Sequence, residues 1–124
     1  MKLAQVALGV HELERATAFY TDLLGYPPAG VFDPPGLVFF DLDGVRLLLE
    51  VGAPAALLYL QVDSVRDRVE ELRARGTPVA EEPHIIFRHA DGALGPAGMD
   101  EWMGFIRDSE GNLVGLVSHQ PGEQ

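Results

Sequence analysis

The chain has 124 residues, 47% of them apolar, enough for one domain with a sizeable buried core. It carries 19 acidic and 9 basic residues, a formal charge of −10, and no cysteine. That balance repels phosphate backbones and argues against nucleic-acid partners, and the missing thiols exclude disulfides and thiolate metal sites. The acidity suits a cationic ligand, or serves solubility alone. No apolar run reaches the roughly 18–20 residues of a membrane span. The opening "MKLAQVALGVHELE" turns charged too soon for a secretory signal. A cytoplasmic protein with no membrane partner is the expectation.

Lys2 to Val10 alternates as a strand, with Ala4, Val6, Leu8 and Val10 on one face and Leu3, Gln5, Ala7 and Gly9 on the other. From Glu12 the period becomes helical: Leu13, Ala16, Tyr20, Leu23 and Leu24 form a stripe, and Gly25 ends it. "YPPAGVFDPPG" is a loop with room for a short strand. "LVFFDL" and "VRLLLEV" flank Asp43-Gly44, a hairpin signal. Leu57 to Val62 is a second opening strand. Ser64 to Asp67 has the form of a capping box, Val65, Val69 and Leu72 give the next helix its apolar stripe, and Gly76 ends it. "PHIIFRH" is a strand, "ADGALGPAGMD" a glycine-rich loop, and "EWMGFIRD" with "NLVGLVSH" a last hairpin around Glu110-Gly111.

The plan repeats. At an offset of 52 residues Val10 falls on Val62, and at an offset of 67 "DLDGVRLLLEV" lies on "DSEGNLVGLVS". The second copy therefore carries an insertion, placed around residues 84–100. The expectation is a single α+β domain of two βαβββ modules, residues 1–52 and 57–119, with helices on the outer face. The Val6, Leu8, Val10 face packs on its helix because it is wholly apolar. The other face, with Gln5 and Ala7, then lines a cleft. The same register adds Arg46, Leu48 and Glu50, then Leu57, Tyr59 and Gln61, and finally Leu113, Gly115 and Val117.

"ERATAFYTDLLGY" after a short strand, and "FIRDSEGNLVGLVS" near the end, resemble the vicinal oxygen chelate superfamily, the glyoxalase, bleomycin-resistance and extradiol dioxygenase group. The resemblance covers nearly the whole chain. It implies two modules forming an open barrel-like sheet around a small-molecule cleft. In metal-dependent members the ligands would fall at Gln5, Leu48, Leu57 and Gly115 of this chain. Glutamine can serve there, but the two leucines and the glycine offer no donor side chain, and a catalytic metal needs about three. No metal is expected at these positions. Gly115 leaves room for a ligand, or for a bulky neighbour such as Trp102 or Tyr59.

Other groups could carry chemistry. Glu50, two residues past Leu48, could act as a general base if buried, or be solvated at a strand end. The insertion gathers Glu82, His84, Arg88, His89, Asp91, Asp100 and Glu101. Simple alternation puts His84 and Arg88 on one face and His89 on the other. Two histidines and a carboxylate there could form a 2-His-1-carboxylate centre for non-haem iron, or could be exposed loop residues. Arg88 could grip a substrate carboxylate or close a local salt bridge. Trp102 could floor a pocket or pack in the core. His119 closes the last strand, at the cleft mouth or in solvent, and His11 marks a helix start. "GALGPAG" lacks the order of a phosphate loop and suits a lid or a flexible edge.

The leading expectation is a small-molecule binder without the family's usual metal, similar to the bleomycin-resistance branch. Its cleft would be lined by Gln5, Ala7, Leu48, Glu50, Leu57, Tyr59, Arg88, Trp102, Gly115 and Val117. The alternative is a lyase, isomerase or dioxygenase with a rearranged site using Gln5, Glu50 and His84, with a divalent metal or acid–base chemistry. A third option is an interaction module whose cleft is filled by its own side chains. The resemblance also implies a homodimer.

Overall fold

The computed structural model describes residues 1–122 as ten elements in two compact units. The first unit comprises Met1–Ala56 with Ser109–Asn112, and the second comprises Leu57–Asp108 with the chain from Leu113 onward. Among the described residues no helix is long and apolar enough to cross a membrane.

In the first unit, β1 (Gln5–Val10) leads to α1 (Leu13–Leu24), β2 (Gly30–Phe32), β3 (Leu37–Leu42) and β4 (Val45–Val51). The sheet order is β1-β4-β3-β2. β1 runs parallel to β4, with Gln5 opposite Arg46, Ala7 opposite Leu48 and Gly9 opposite Glu50. The β3–β4 turn has positive φ at Asp43 and Gly44, as a two-residue hairpin with the native twist requires. Leu8, Phe40 and Leu49 are fully buried with Ala16 and Tyr20 of α1, so the wholly apolar strand face is the core face. Each such large side chain stabilises by about 1.5–3 kcal/mol.

The start of α1 is stabilised from far along the chain. Its N-cap, Glu12, makes no side-chain capping bond. Glu110 supplies it instead: Oε1 accepts from the backbone N–H of His11 at 2.8 Å and of Glu12 at 2.7 Å. Arg15 donates through Nε to Oε2 at 2.7 Å and through Nη2 to Oε1 at 3.1 Å. A carboxylate over free N–H groups at a helix start is favourable on both hydrogen-bonding and dipole grounds. The Arg15 bonds first, helped by those of the Glu12, Ser109 and His11 groups, outweigh burial and lower the Glu110 carboxyl from 4.5 to about 2. In the same turn Asn112 Nδ2 donates to the carbonyl of Gly9 at 2.9 Å.

The second unit repeats the plan with β5 (Leu58–Gln61), α2 (Val65–Ala74), β6 (Val79–Arg88), β7 (Met99–Arg107) and β8 (Leu113–Pro121), in sheet order β5-β8-β7-β6. Val65, Val69 and Leu72 of α2 are buried, as are Leu58, Ile106, Val114 and Leu116 of the sheet. Ser64 Oγ accepts from Asp67 N–H at 3.2 Å, the expected N-cap bond. Ser118 Oγ, almost fully buried, accepts from Val65 N–H at 3.0 Å and satisfies a second donor of that first turn.

β6 differs from the sequence expectation in length and register. It starts at Val79, ahead of Pro83. An edge strand that pairs only with β7 tolerates a proline, because no ladder bond is lost on its open side. Its register also shifts between Ile85 and Phe87: Ile85 faces Trp102, while Phe87 faces Glu101. Ile86 is therefore an extra residue, a β-bulge that inverts the alternation beyond it.

Candidate functional site

Each sheet gathers polar side chains on the face away from its helix, and the two faces are built differently.

On the first sheet, Gln5, Arg46 and Phe39 come together through the β1–β4 and β3–β4 registers, which put Gln5 beside Arg46 and Phe39 beside Leu48. Arg46 Nε donates to Gln5 Oε1 at 3.0 Å. Its guanidinium carbon stands 6.0 Å from the Phe39 ring centroid, and Phe39 meets Phe32 edge-on at 5.8 Å. With Ala29 and Gly30 these residues line a hollow of about 450 Å³. No ion pair between Arg46 and a carboxylate is found among the described residues. Net acidity pointed to a cationic ligand, but the charge in this hollow is positive. Glu50 is half-buried at the other end of β4, opposite Gly9 and Leu37. Ala7 is exposed, and Leu48 is buried hydrocarbon.

Of the four positions that the resemblance assigns to the family's metal, only Gln5 has a donor side chain. Gln5 turns its oxygen to a guanidinium. Leu48 and Leu57 have no donor atom. Gly115 lies beneath Tyr59: a Cβ there would stand 2.7 Å from Tyr59 Cδ1 and 3.1 Å from Phe105 Cε1. Of the two neighbours considered for Gly115, the structure selects Tyr59, which packs edge-on to Phe105 at 6.0 Å. Tyr59 and Leu57 are exposed, and Val117 is half-buried on the same face.

Trp102 was expected on that face and is not. It is adjacent to Glu101 and Met103 and so points the other way, where Arg66 of α2 stacks on its ring at 4.2 Å. Arg88 also points to the helix side, opposite Asp100, with 4.0 Å between their charged atoms, so it makes a local salt bridge. His84 is exposed, bonded through Nδ1 to the carbonyl of Glu82 at 3.0 Å and 3.5 Å from Glu81. Its proposed partners Gln5 and Glu50 belong to the first unit, so the set Gln5, Glu50, His84 is not assembled within either unit.

What the second sheet does assemble is His89, Glu101 and His119. Glu101 and His119 are directly opposite on β7 and β8. His89 follows the bulge, which turns it to the face that simple alternation denied it, and its N–H donates to the Met99 carbonyl at 2.9 Å. Nε2 of His89 lies 3.0 Å and Nε2 of His119 lies 3.1 Å from the same oxygen, Glu101 Oε1. Burial works to raise the Glu101 carboxyl, and the bonds to His89 and His119 outweigh it, holding the group below its ordinary value.

The model of the Glyoxalase/Bleomycin resistance protein/Dioxygenase superfamily matches residues 2–116, and the chain belongs to that family. Solved structures agree on the fold. A glyoxalase/bleomycin resistance protein from Albidiferax ferrireducens T118 is 25% identical, with TM-score 0.65 over 94% of this chain and 98% of that one. A glyoxalase/bleomycin resistance protein/dioxygenase from Nocardioides is 21% identical, with TM-score 0.69 over 100% and 87%. A glyoxalase-related enzyme from Fulvimarina pelagi is 19% identical, with TM-score 0.67 over 95% and 88%. No match was found among curated proteins.

Proposed function

We propose that the protein binds a small molecule without using the family's metal positions, and that the hollow of the first sheet is the seat. The observation that carries this reading is Arg46, held by Gln5 and Phe39 and paired with no carboxylate among the described residues. A guanidinium fixed on one side keeps its remaining donors in a planar fork that matches a carboxylate or similar anion. Phe32 and Phe39 offer ring edges and faces to an apolar body. The ligand class is therefore an aromatic or apolar acid rather than a cationic drug. A ligand pocket of this kind is mostly apolar with a few fixed polar groups. Homodimerisation and a cytoplasmic location belong to the same proposal; light-scattering mass and fractionation test them.

The test is calorimetric titration and thermal shift with aromatic carboxylates, their methyl esters and aromatic amines. Acids should bind and stabilise, and the esters and amines should not. Arg46→Ala should weaken the acids roughly 10–100-fold, from the loss of charge-assisted bonds of about 1.5–3 kcal/mol. Equal binding of amines and acids, or an Arg46→Ala variant that binds like the parent, would overturn the reading.

A further inference from the structure

The His89, Glu101, His119 cluster lies outside the positions that the resemblance assigns to the family's metal and outside the hollow of the first sheet, and its donor set is one that could hold a metal ion. Its ligand atoms, two imidazole nitrogens and a carboxylate oxygen, all lie within 4.8 Å of one another. Two neutral imidazoles and one carboxylate suit borderline divalent ions such as Zn²⁺ or Fe²⁺, and three protein ligands leave coordination positions open.

Three further features shape the cluster. The His89 side chain is 2% exposed and is held edge-on against Phe87 at 4.7 Å, so its ring direction is fixed. His119 and Glu101 are 17% and 20% exposed, which leaves one side of the cluster open to solvent or ligand. Gly95 closes another side: a Cβ there would come within 2.9 Å of His89 Nε2 and 3.2 Å of His119 Nε2. The backbone of the glycine-rich loop therefore stands directly over both donor nitrogens, an approach only glycine permits. The chain's net charge of −10 adds a general attraction for cations.

We propose that His89 Nε2, His119 Nε2 and the Glu101 carboxylate bind one divalent first-row transition ion beneath the Gly95 loop, with an open position facing solvent. Without the ion, the same atoms form two imidazole hydrogen bonds to one carboxylate oxygen, a cluster that needs little rearrangement to accept it. Binding needs each imidazole to present Nε2 as an acceptor, with its ring proton on Nδ1.

The experiment titrates tag-free, chelator-stripped protein with Co²⁺ followed by visible absorption, and with Zn²⁺ followed by calorimetry. One ion per chain is expected. Glu101→Gln and His119→Ala should each weaken binding by at least about tenfold, while His84→Ala should bind as the parent does. Imidazole NMR of the unmutated protein gives a reading that needs no variant: the His89 and His119 rings should shift with Zn²⁺, and those of His11 and His84 should not. The proposal is overturned if the parent takes up no stoichiometric ion. It is equally overturned if both variants bind unchanged, or if His11 or His84 carries the shift, since the ion is then held adventitiously.

Discussion

Tyr59 lies across Gly115, the residue directly opposite it on the neighbouring parallel strand, so the ring occupies the space a side chain at 115 would need. The strand position that the resemblance assigns to a metal-binding carboxylate is thus covered by the Tyr59 ring from within the same sheet.

Substitution at this glycine should be costly for a steric reason. Gly115→Ala brings a methyl to 2.7 Å from Tyr59 Cδ1, closer than real contacts allow. Overpacking of this kind costs about 1–3 kcal/mol. Chemical denaturation should show the loss, and the same substitution in a Tyr59→Ala background should recover most of it. A fully additive double mutant would show that the two residues do not conflict.

Glu110 makes a pH-dependent contribution. Its carboxyl sits at about 2 in the folded chain against an ordinary 4.5, so the folded state holds fewer protons between those values. The resulting stability is present above about pH 4.5 and is lost as the pH falls toward 2, and is worth roughly 3 kcal/mol. Glu110→Gln should lower the urea midpoint at pH 7 by a corresponding amount. It should also flatten the acid limb of the stability curve; an unchanged acid limb would refute the assignment.

Arg66 and Trp102 should affect stability and nothing else. Their stacking is on the helix side of the second sheet, so Arg66→Ala should cost about 0.5–1 kcal/mol and leave ligand titrations unaltered. A changed affinity would place Trp102 in a ligand site after all.

Ser118 is a buried acceptor for the Val65 N–H. Ser118→Ala strands that donor and should cost about 1–3 kcal/mol, more than Ser64→Ala at the exposed cap, which should cost about 1 kcal/mol. Thermal melts of the two variants, compared side by side, give the order.

Much of the fold was legible from period and punctuation. Helical spacing at Leu13, Ala16 and Tyr20, the Asp43-Gly44 turn and the Ser64 cap all rest on local chemistry, and all are in place. The repeat was legible because both copies keep the same turn after the same strand. The histidine cluster was not. Its face depends on one extra residue at Ile86, and period-2 reasoning has no means of seeing a bulge. Glu101 and His119 meet only through cross-strand register, 18 residues apart in sequence. Glu110 was read as a turn residue because nothing local connects it to a helix start nearly a hundred residues earlier. Trp102 was misplaced for a related reason: beside a glycine-rich loop it looked like a pocket floor, while its parity with Ile106 already put it on the core side.

The reach from Glu110 to His11, Glu12 and Arg15 also sets an order of completion during synthesis. When the ribosome has released only the opening strands, α1 has its apolar stripe but no anion over its first turn. That missing piece is Glu110, encoded 98 residues after Glu12. A nascent chain stalled before it would carry an N-terminal module whose leading helix frays at its start, and translation through the final hairpin is what finishes the first module.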